Sequence, residues 1–77
     1  MQSVYALIRA SPLRMRHAQR EISRQREVGS LDHLAGDDMF NLLARLDVRD
    51  SHDEERVMDD ICHVGGVSGA LVLSRTH

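Results

Sequence analysis

The chain has a single cysteine, no tryptophan and no lysine, and Tyr5 and Phe40 are its only aromatic residues. One cysteine excludes an intramolecular disulfide, and nothing in the cysteine content indicates an oxidising compartment. With only two aromatic rings, the core of the fold must be aliphatic. The apolar run at residues 4–8 is too short for a signal sequence or a membrane span. We therefore expect a cytoplasmic protein without a membrane partner.

A length of 77 residues accommodates one domain, which we expect to span residues 1–77. A domain this small buries only about 60% of the surface that its unfolded chain exposes, so its stability alone should be modest. Small domains often gain stability by association, and self-association is therefore expected.

Charges of opposite sign are separated along the chain, although the formal net charge is only −2. Residues 9–26 hold six arginines and one glutamate, whereas residues 32–60 hold ten acidic residues and three arginines. Solvated surface is the usual meaning of such runs. A net acidic domain repels phosphate, so direct binding of nucleic acid is not expected.

The first half of the chain reads as a strand, a helix and a second strand. Residues 4–10 predict a strand, because Val4, Ala6 and Ile8 fall on one face and the larger or more polar residues between them fall on the other. Ser11, as N-cap, and Pro12 then predict the start of a helix that continues to about Arg26, with Gly29 closing it in a left-handed conformation. Residues 29–34 predict a short strand, followed by a turn over residues 35–38.

The second half repeats this order. Alternation is clean over residues 39–48, which predicts the longest strand. Ser51 and Glu54 have the spacing of a capping box, so a second helix should begin at Ser51 and end at Gly65 and Gly66. Residues 66–76 predict the last strand.

The order β-α-β-β-α-β predicts a ferredoxin-like α+β sandwich, in which a four-stranded antiparallel sheet carries both helices on one face. The other face of the sheet is then bare. We expect it to be the homodimer surface, marked by Tyr5, Leu7, Leu43 and Arg45. The predicted core consists of Ile8, Ile22, Phe40, Leu42, Leu46, Val57 and Ile61.

No motif indicates chemistry, so we expect a protein that is not an enzyme and uses no cofactor or metal. Asp53 and Glu54 are interpreted as a surface helix cap beside His52 rather than as metal ligands. Adjacent residues on a helix point about 100° apart, so Cys62 and His63 cannot easily share an ion. Cys62 is interpreted as a buried structural residue.

Three stretches, YALIRASP, HLAGDDMFNLLARLDV and HVGGVSGALVLS, resemble the effector-binding and oligomerisation domain of the Lrp/AsnC transcription regulators, which also occurs alone. The resemblance implies a dimer or larger assembly that senses an amino-acid-type effector. We expect the effector at the turn formed by Gly36, Asp37 and Asp38, near Asn41. There the acids and the Asn41 amide would hold an ammonium group, and backbone N–H groups would hold a carboxylate. Asn41 stands where the family usually has an acid.

The NapD-type chaperones, which bind a twin-arginine signal peptide, are similar over nearly the same length. VYALIRASP and GGVSGALVL resemble that family equally well, whereas the Gly36-Asp37-Asp38 hairpin and LLARLDV favour the regulator domain. A signal-peptide chaperone therefore remains the alternative function.

Overall fold

A computed structural model describes residues 1–35 and 39–76. Its elements follow the predicted order β-α-β-β-α-β, with a single 3₁₀ turn, Pro12–Arg14, before the first helix. The elements are β1 (Gln2–Ala10), α1 (Met15–Ser23), β2 (Val28–His33), β3 (Leu42–Val48), α2 (Ser51–Cys62) and β4 (Val67–Thr76). The ferredoxin-like α+β fold predicted from the sequence is confirmed.

The four strands form one sheet in the order β2-β3-β1-β4, and every neighbouring pair is antiparallel. Alternate residues of the central strands β1 and β3 are buried beneath the helices. Both helices pack on this one face, because their buried residues belong to the same apolar cluster as the strands. The cluster consists of Val4, Ala6, Ile8, Ala10, Ala18, Ile22, Leu42, Ala44, Leu46, Val48, Val57 and Ile61.

Six of the seven predicted core residues are fully buried, but the prediction for Phe40 was wrong. Phe40 precedes β3 and is only half-buried. The last register pair between β1 and β3 is Ile8 with Leu42. Beyond this pair, the Asn41 side chain rather than the backbone forms hydrogen bonds with Ala10 at the end of β1. Strand β3 therefore begins at Leu42, although the alternating pattern predicted a strand from residue 39.

The ends of α1 differ from the prediction. Ser11 makes no capping hydrogen bond through its side chain, and the 3₁₀ turn delays the α-helix to Met15. At the other end, the backbone N–H of Gln25 donates to the Ile22 carbonyl over 3.1 Å, which begins a tight turn into β2. Gly29 does not close the helix. It lies in β2 at a register irregularity, where a Cβ would collide with the Arg45 guanidinium.

The N-cap of α2 is Asp50 rather than Ser51, which is the first helical residue. The Asp50 side chain accepts a hydrogen bond from the Asp53 backbone N–H over 2.8 Å. Both residue types favour the cap position, so residue type alone does not decide between Asp50 and Ser51. Asp53 and Glu54 lie in the first helical turn, but their side chains are buried rather than exposed.

Strand β4 contains two extra residues relative to β1, Ser68 near its start and Leu73 near its end. Tyr5 pairs with Ser74 and Ala6 pairs with Val72, so Leu73 is the additional residue of a β-bulge. A bulge interrupts the alternation of side chains between the two faces. As a result, Arg75 pairs with the buried Val4 and its side chain lies on the helix face.

Candidate functional site

The sheet face opposite the helices carries a row of three leucines. Leu7 of β1 is paired directly with Leu43 of β3 on one side and with Leu71 of β4 on the other. Directly paired residues of neighbouring antiparallel strands project to the same face. With strands about 4.8 Å apart, the row is roughly 10 Å wide. Leu71 is 43% exposed and Leu73 beside it is 56% exposed.

A second row crosses the same face next to the leucines. Tyr5 is paired with Arg45 on one side and with Ser74 on the other. The Arg45 guanidinium lies over Gly29 and reaches Asp47, with 3.4 Å between Nη2 and Oδ2. Tyr5, Leu7, Leu43 and Arg45 therefore lie together on the open face, where the sequence placed them. Their role as a dimer surface stays a prediction.

Of the predicted effector site, Gly36, Asp37 and Asp38 lie outside the described residues. Asn41 is described, and its amide pairs with the backbone at the end of β1. Its Oδ1 accepts a hydrogen bond from the Ala10 N–H over 2.9 Å, and its Nδ2 donates to the Ala10 carbonyl over 2.7 Å. A primary amide has two N–H donors and two acceptor positions, so one of each remains after this pairing. Asn41 keeps the capacity to bind an effector, which stays a prediction.

Two carboxylates of α2 are buried, contrary to the interpretation as a surface cap. Glu54 receives two hydrogen bonds from Arg75, each 2.7 Å long, in a bidentate pair. These hydrogen bonds lower the pKa of the Glu54 carboxyl, although its burial acts in the opposite direction. Sequence reasoning missed the pair because strict alternation places Arg75 on the open face, and only the bulge at Leu73 turns it inward.

The second buried carboxylate, Asp53, belongs to a network centred on Arg56. The Arg56 Nη2 donates to Asp53 over 2.8 Å and to Glu27 over 2.7 Å. Both contacts lower the pKa of the acids, and the Arg49 backbone N–H also donates to Asp53. The network ties α2 to the segment that precedes β2. Its role is structural, since all the groups are paired with each other.

Replacing Glu54 with Gln should make the protein less stable at neutral pH and less sensitive to acid. The folded-state pKa of Glu54 lies below its ordinary value of 4.5, so its contribution is present above that pH and is lost as the pH falls through the folded pKa. Urea unfolding between pH 7 and pH 3 should show the wild type and Glu54→Gln converging toward acid. Glu55→Gln, at the exposed neighbour, is the control. Parallel curves for wild type and Glu54→Gln would contradict the assignment.

Within residues 1–35 and 39–76, no group of three or more His, Cys, Asp or Glu side chains could hold a metal ion. Cys62 is exposed, so its interpretation as a buried structural residue was wrong. It is the last residue of α2, on the side turned away from the core. Neither α1 nor α2 is long and apolar enough to cross a membrane.

The geometry defines a small ferredoxin-like domain with an open sheet face. No family model matches the sequence, and no curated protein matches it. Among solved structures, TTHA0845 from Thermus thermophilus is similar over 100% of this chain and 98% of its own, with a TM-score of 0.81 and 21% identity.

Two longer proteins share the fold over nearly all of this chain. An AsnC family transcriptional regulator from Agrobacterium tumefaciens matches 97% of it with a TM-score of 0.76 and 18% identity. MtbAldR matches 99% of it with a TM-score of 0.77 and 16% identity. The chain spans about half the length of each, 48% and 55% respectively. At these identities the similarity shows the fold, and it agrees with the resemblance found in the sequence.

Proposed function

We propose that the protein is a non-enzymatic regulatory module that self-associates through the open sheet face and senses a small amino-acid-type effector. The observation that carries the proposal is the apolar row of Leu43, Leu7 and Leu71 on a face that neither helix covers. Apolar patches of this kind on small domains usually mark an interface. A second copy would cover the leucines and add to a thin core.

The same fold in an AsnC family transcriptional regulator supports a role in transcription regulation. This chain corresponds to about half of that protein, so any DNA-binding function would belong to another polypeptide or segment. Nothing in the comparisons supports the signal-peptide chaperone.

For the effector site we propose the segment Gly36, Asp37 and Asp38, which the sequence predicts to be a turn, together with the side chain of Asn41. Two hydrogen bonds to Ala10 hold the Asn41 amide in one orientation, so its remaining N–H and lone pair have a defined direction. A ligand with both an ammonium and a carboxylate group would use the acids and the backbone N–H groups of the turn together.

Titration of each common amino acid into ¹⁵N-labelled protein should shift the backbone amide signals of Asn41 and Ala10 for at least one amino acid. The shifts should disappear in Asp37→Asn/Asp38→Asn, because the ammonium group loses its carboxylate partners. They should persist in Asp59→Asn, which removes a carboxylate that is 73% exposed on α2. Shifts confined to the helix ends, or none with any amino acid, would remove the sensing role and leave the association untouched.

A further inference from the structure

A concave surface separate from the sheet face lies between the start of α1 and the end of β2. The concavity has a volume of about 660 Å³. Among the described residues, the lining includes three arginines and two histidines but no acidic side chain. We call it the basic groove; its lining consists of Pro12, Leu13, Arg14, Met15, Arg16, His17, Gln19, Arg20 and His33.

Most arginines without a carboxylate partner among residues 1–35 and 39–76 lie in the basic groove. Counting only partners within residues 1–35 and 39–76, six of the ten arginines make an ion pair; they are Arg24, Arg26, Arg45, Arg49, Arg56 and Arg75. Of the four that do not, Arg14, Arg16 and Arg20 line the groove. Unpaired positive charge is therefore concentrated at this one place, although the whole chain carries a net charge of −2.

The walls of the basic groove are held in place by the rest of the fold. Arg14 packs on the turn between α2 and β4, where a Cβ on Gly66 would lie 2.9 Å from the Arg14 Cβ. Gly66 has a φ of +95°, a conformation that favours glycine. On the opposite wall, the Gln19 side chain is hydrogen-bonded to the His33 ring. These contacts hold both sides of the groove and involve no ion pair with its arginines.

The lining also indicates the shape and chemistry of the occupant. All of the lining residues except Met15 and Gln19 are exposed, whereas sites for small molecules enclose most of the ligand. Leu13, which lines the same groove as the three arginines, is 97% exposed. An elongated partner that presents both carboxylate and apolar side chains would match this surface. Nucleic acid fits less well, because neither Tyr5 nor Phe40 lines the groove to stack with bases.

We propose that the basic groove binds an acidic, leucine-containing segment of another protein. Arg16 and Arg20 lie four residues apart on one helical face and would pair with its carboxylates. Leu13 would contact its apolar side chains. The surface lies away from the open sheet face, so binding there leaves self-association intact.

The test uses a fluorescein-labelled twelve-residue peptide in which glutamate and leucine alternate, and a matched peptide with lysine in place of glutamate. Fluorescence anisotropy should show that the acidic peptide binds and that the lysine peptide does not. Arg16→Ala/Arg20→Ala should weaken it at least tenfold, and Leu13→Ser severalfold. Arg26→Ala removes an arginine that is 91% exposed outside the groove and should leave the affinity unchanged.

Circular dichroism and light scattering of the same variants would show that fold and oligomeric state are unaltered. The proposal is overturned if the acidic peptide does not bind, or if the lysine peptide binds equally well. It is also overturned if Arg26→Ala weakens binding as much as the double variant does. Tighter binding of a twenty-nucleotide single-stranded DNA, with the same dependence on Arg16 and Arg20, would assign the basic groove to nucleic acid instead.

Discussion

Leu42→Ala should lower the free energy of unfolding by about 2–5 kcal/mol. Leu42 is completely buried at the start of β3, where the sheet meets the helices. Its removal leaves a cavity that neighbouring strands cannot fill, because each is fixed by its ladder of hydrogen bonds. A loss of this size is a large fraction of the stability of a small domain, so the midpoint of urea unfolding should fall markedly.

The matched control is Leu13→Ala, which deletes the same atoms from a side chain that is 97% exposed. Its effect should stay within about 0.5 kcal/mol. Both variants should be compared at one protein concentration, because association stabilises the folded state by mass action. Equal effects of the two substitutions would show that Leu42 does not belong to the core.

Leu43→Glu should convert a dimeric wild type into a monomer. Leu43 lies one residue along β3 from Leu42 but on the opposite face, in the row with Leu7 and Leu71. Burying an unpaired carboxylate in an interface costs several kcal/mol, and each 1.4 kcal/mol changes the dissociation constant about tenfold. Size-exclusion chromatography with light scattering would measure the mass over a range of concentrations.

Leu71→Glu, on β4 at the other end of the leucine row, should have the same effect. Leu13→Glu introduces the same charge away from the sheet and should leave the mass unchanged. Circular dichroism would verify that each variant is folded. A wild type that is already monomeric at high concentration would contradict the dimer and favour the signal-peptide chaperone.

The order of the elements could be predicted because two simple periodicities dominate this chain. Residues of β1 and β3 alternate strictly between a buried and a partly exposed face, and this pattern also placed Tyr5, Leu7, Leu43 and Arg45 correctly. Periodicity reports on the side chains of a regular element. It carries little information about where the element ends.

The errors therefore fall at the ends of elements. Ser51 was assigned to a helix cap by residue type, although Asp50 beside it is equally suitable and takes the position. The ends of α1 lie at Arg14 and Arg24, which carry no capping preference that a sequence pattern could show. Phe40 continues the alternation of β3, yet the Asn41 amide ends the strand by binding Ala10. Side-chain hydrogen bonds of this kind depend on two segments that are distant in sequence, so local patterns do not indicate them.

The bulge at Leu73 divides β4 into two parts whose side chains make different contacts. Residues before Leu73 follow one alternation and place Leu71 on the outer surface, while Arg75 follows the shifted alternation and anchors α2 through Glu54. Exchange of the side chain at Leu71 therefore changes the outer surface without disturbing the contact between Arg75 and Glu54. Deleting Leu73 would leave Ser74 opposite Tyr5 and Arg75 opposite Val4, so Arg75 would stay on the helix face and only an exposed leucine would be lost. The two parts of β4 can thus vary independently along one strand.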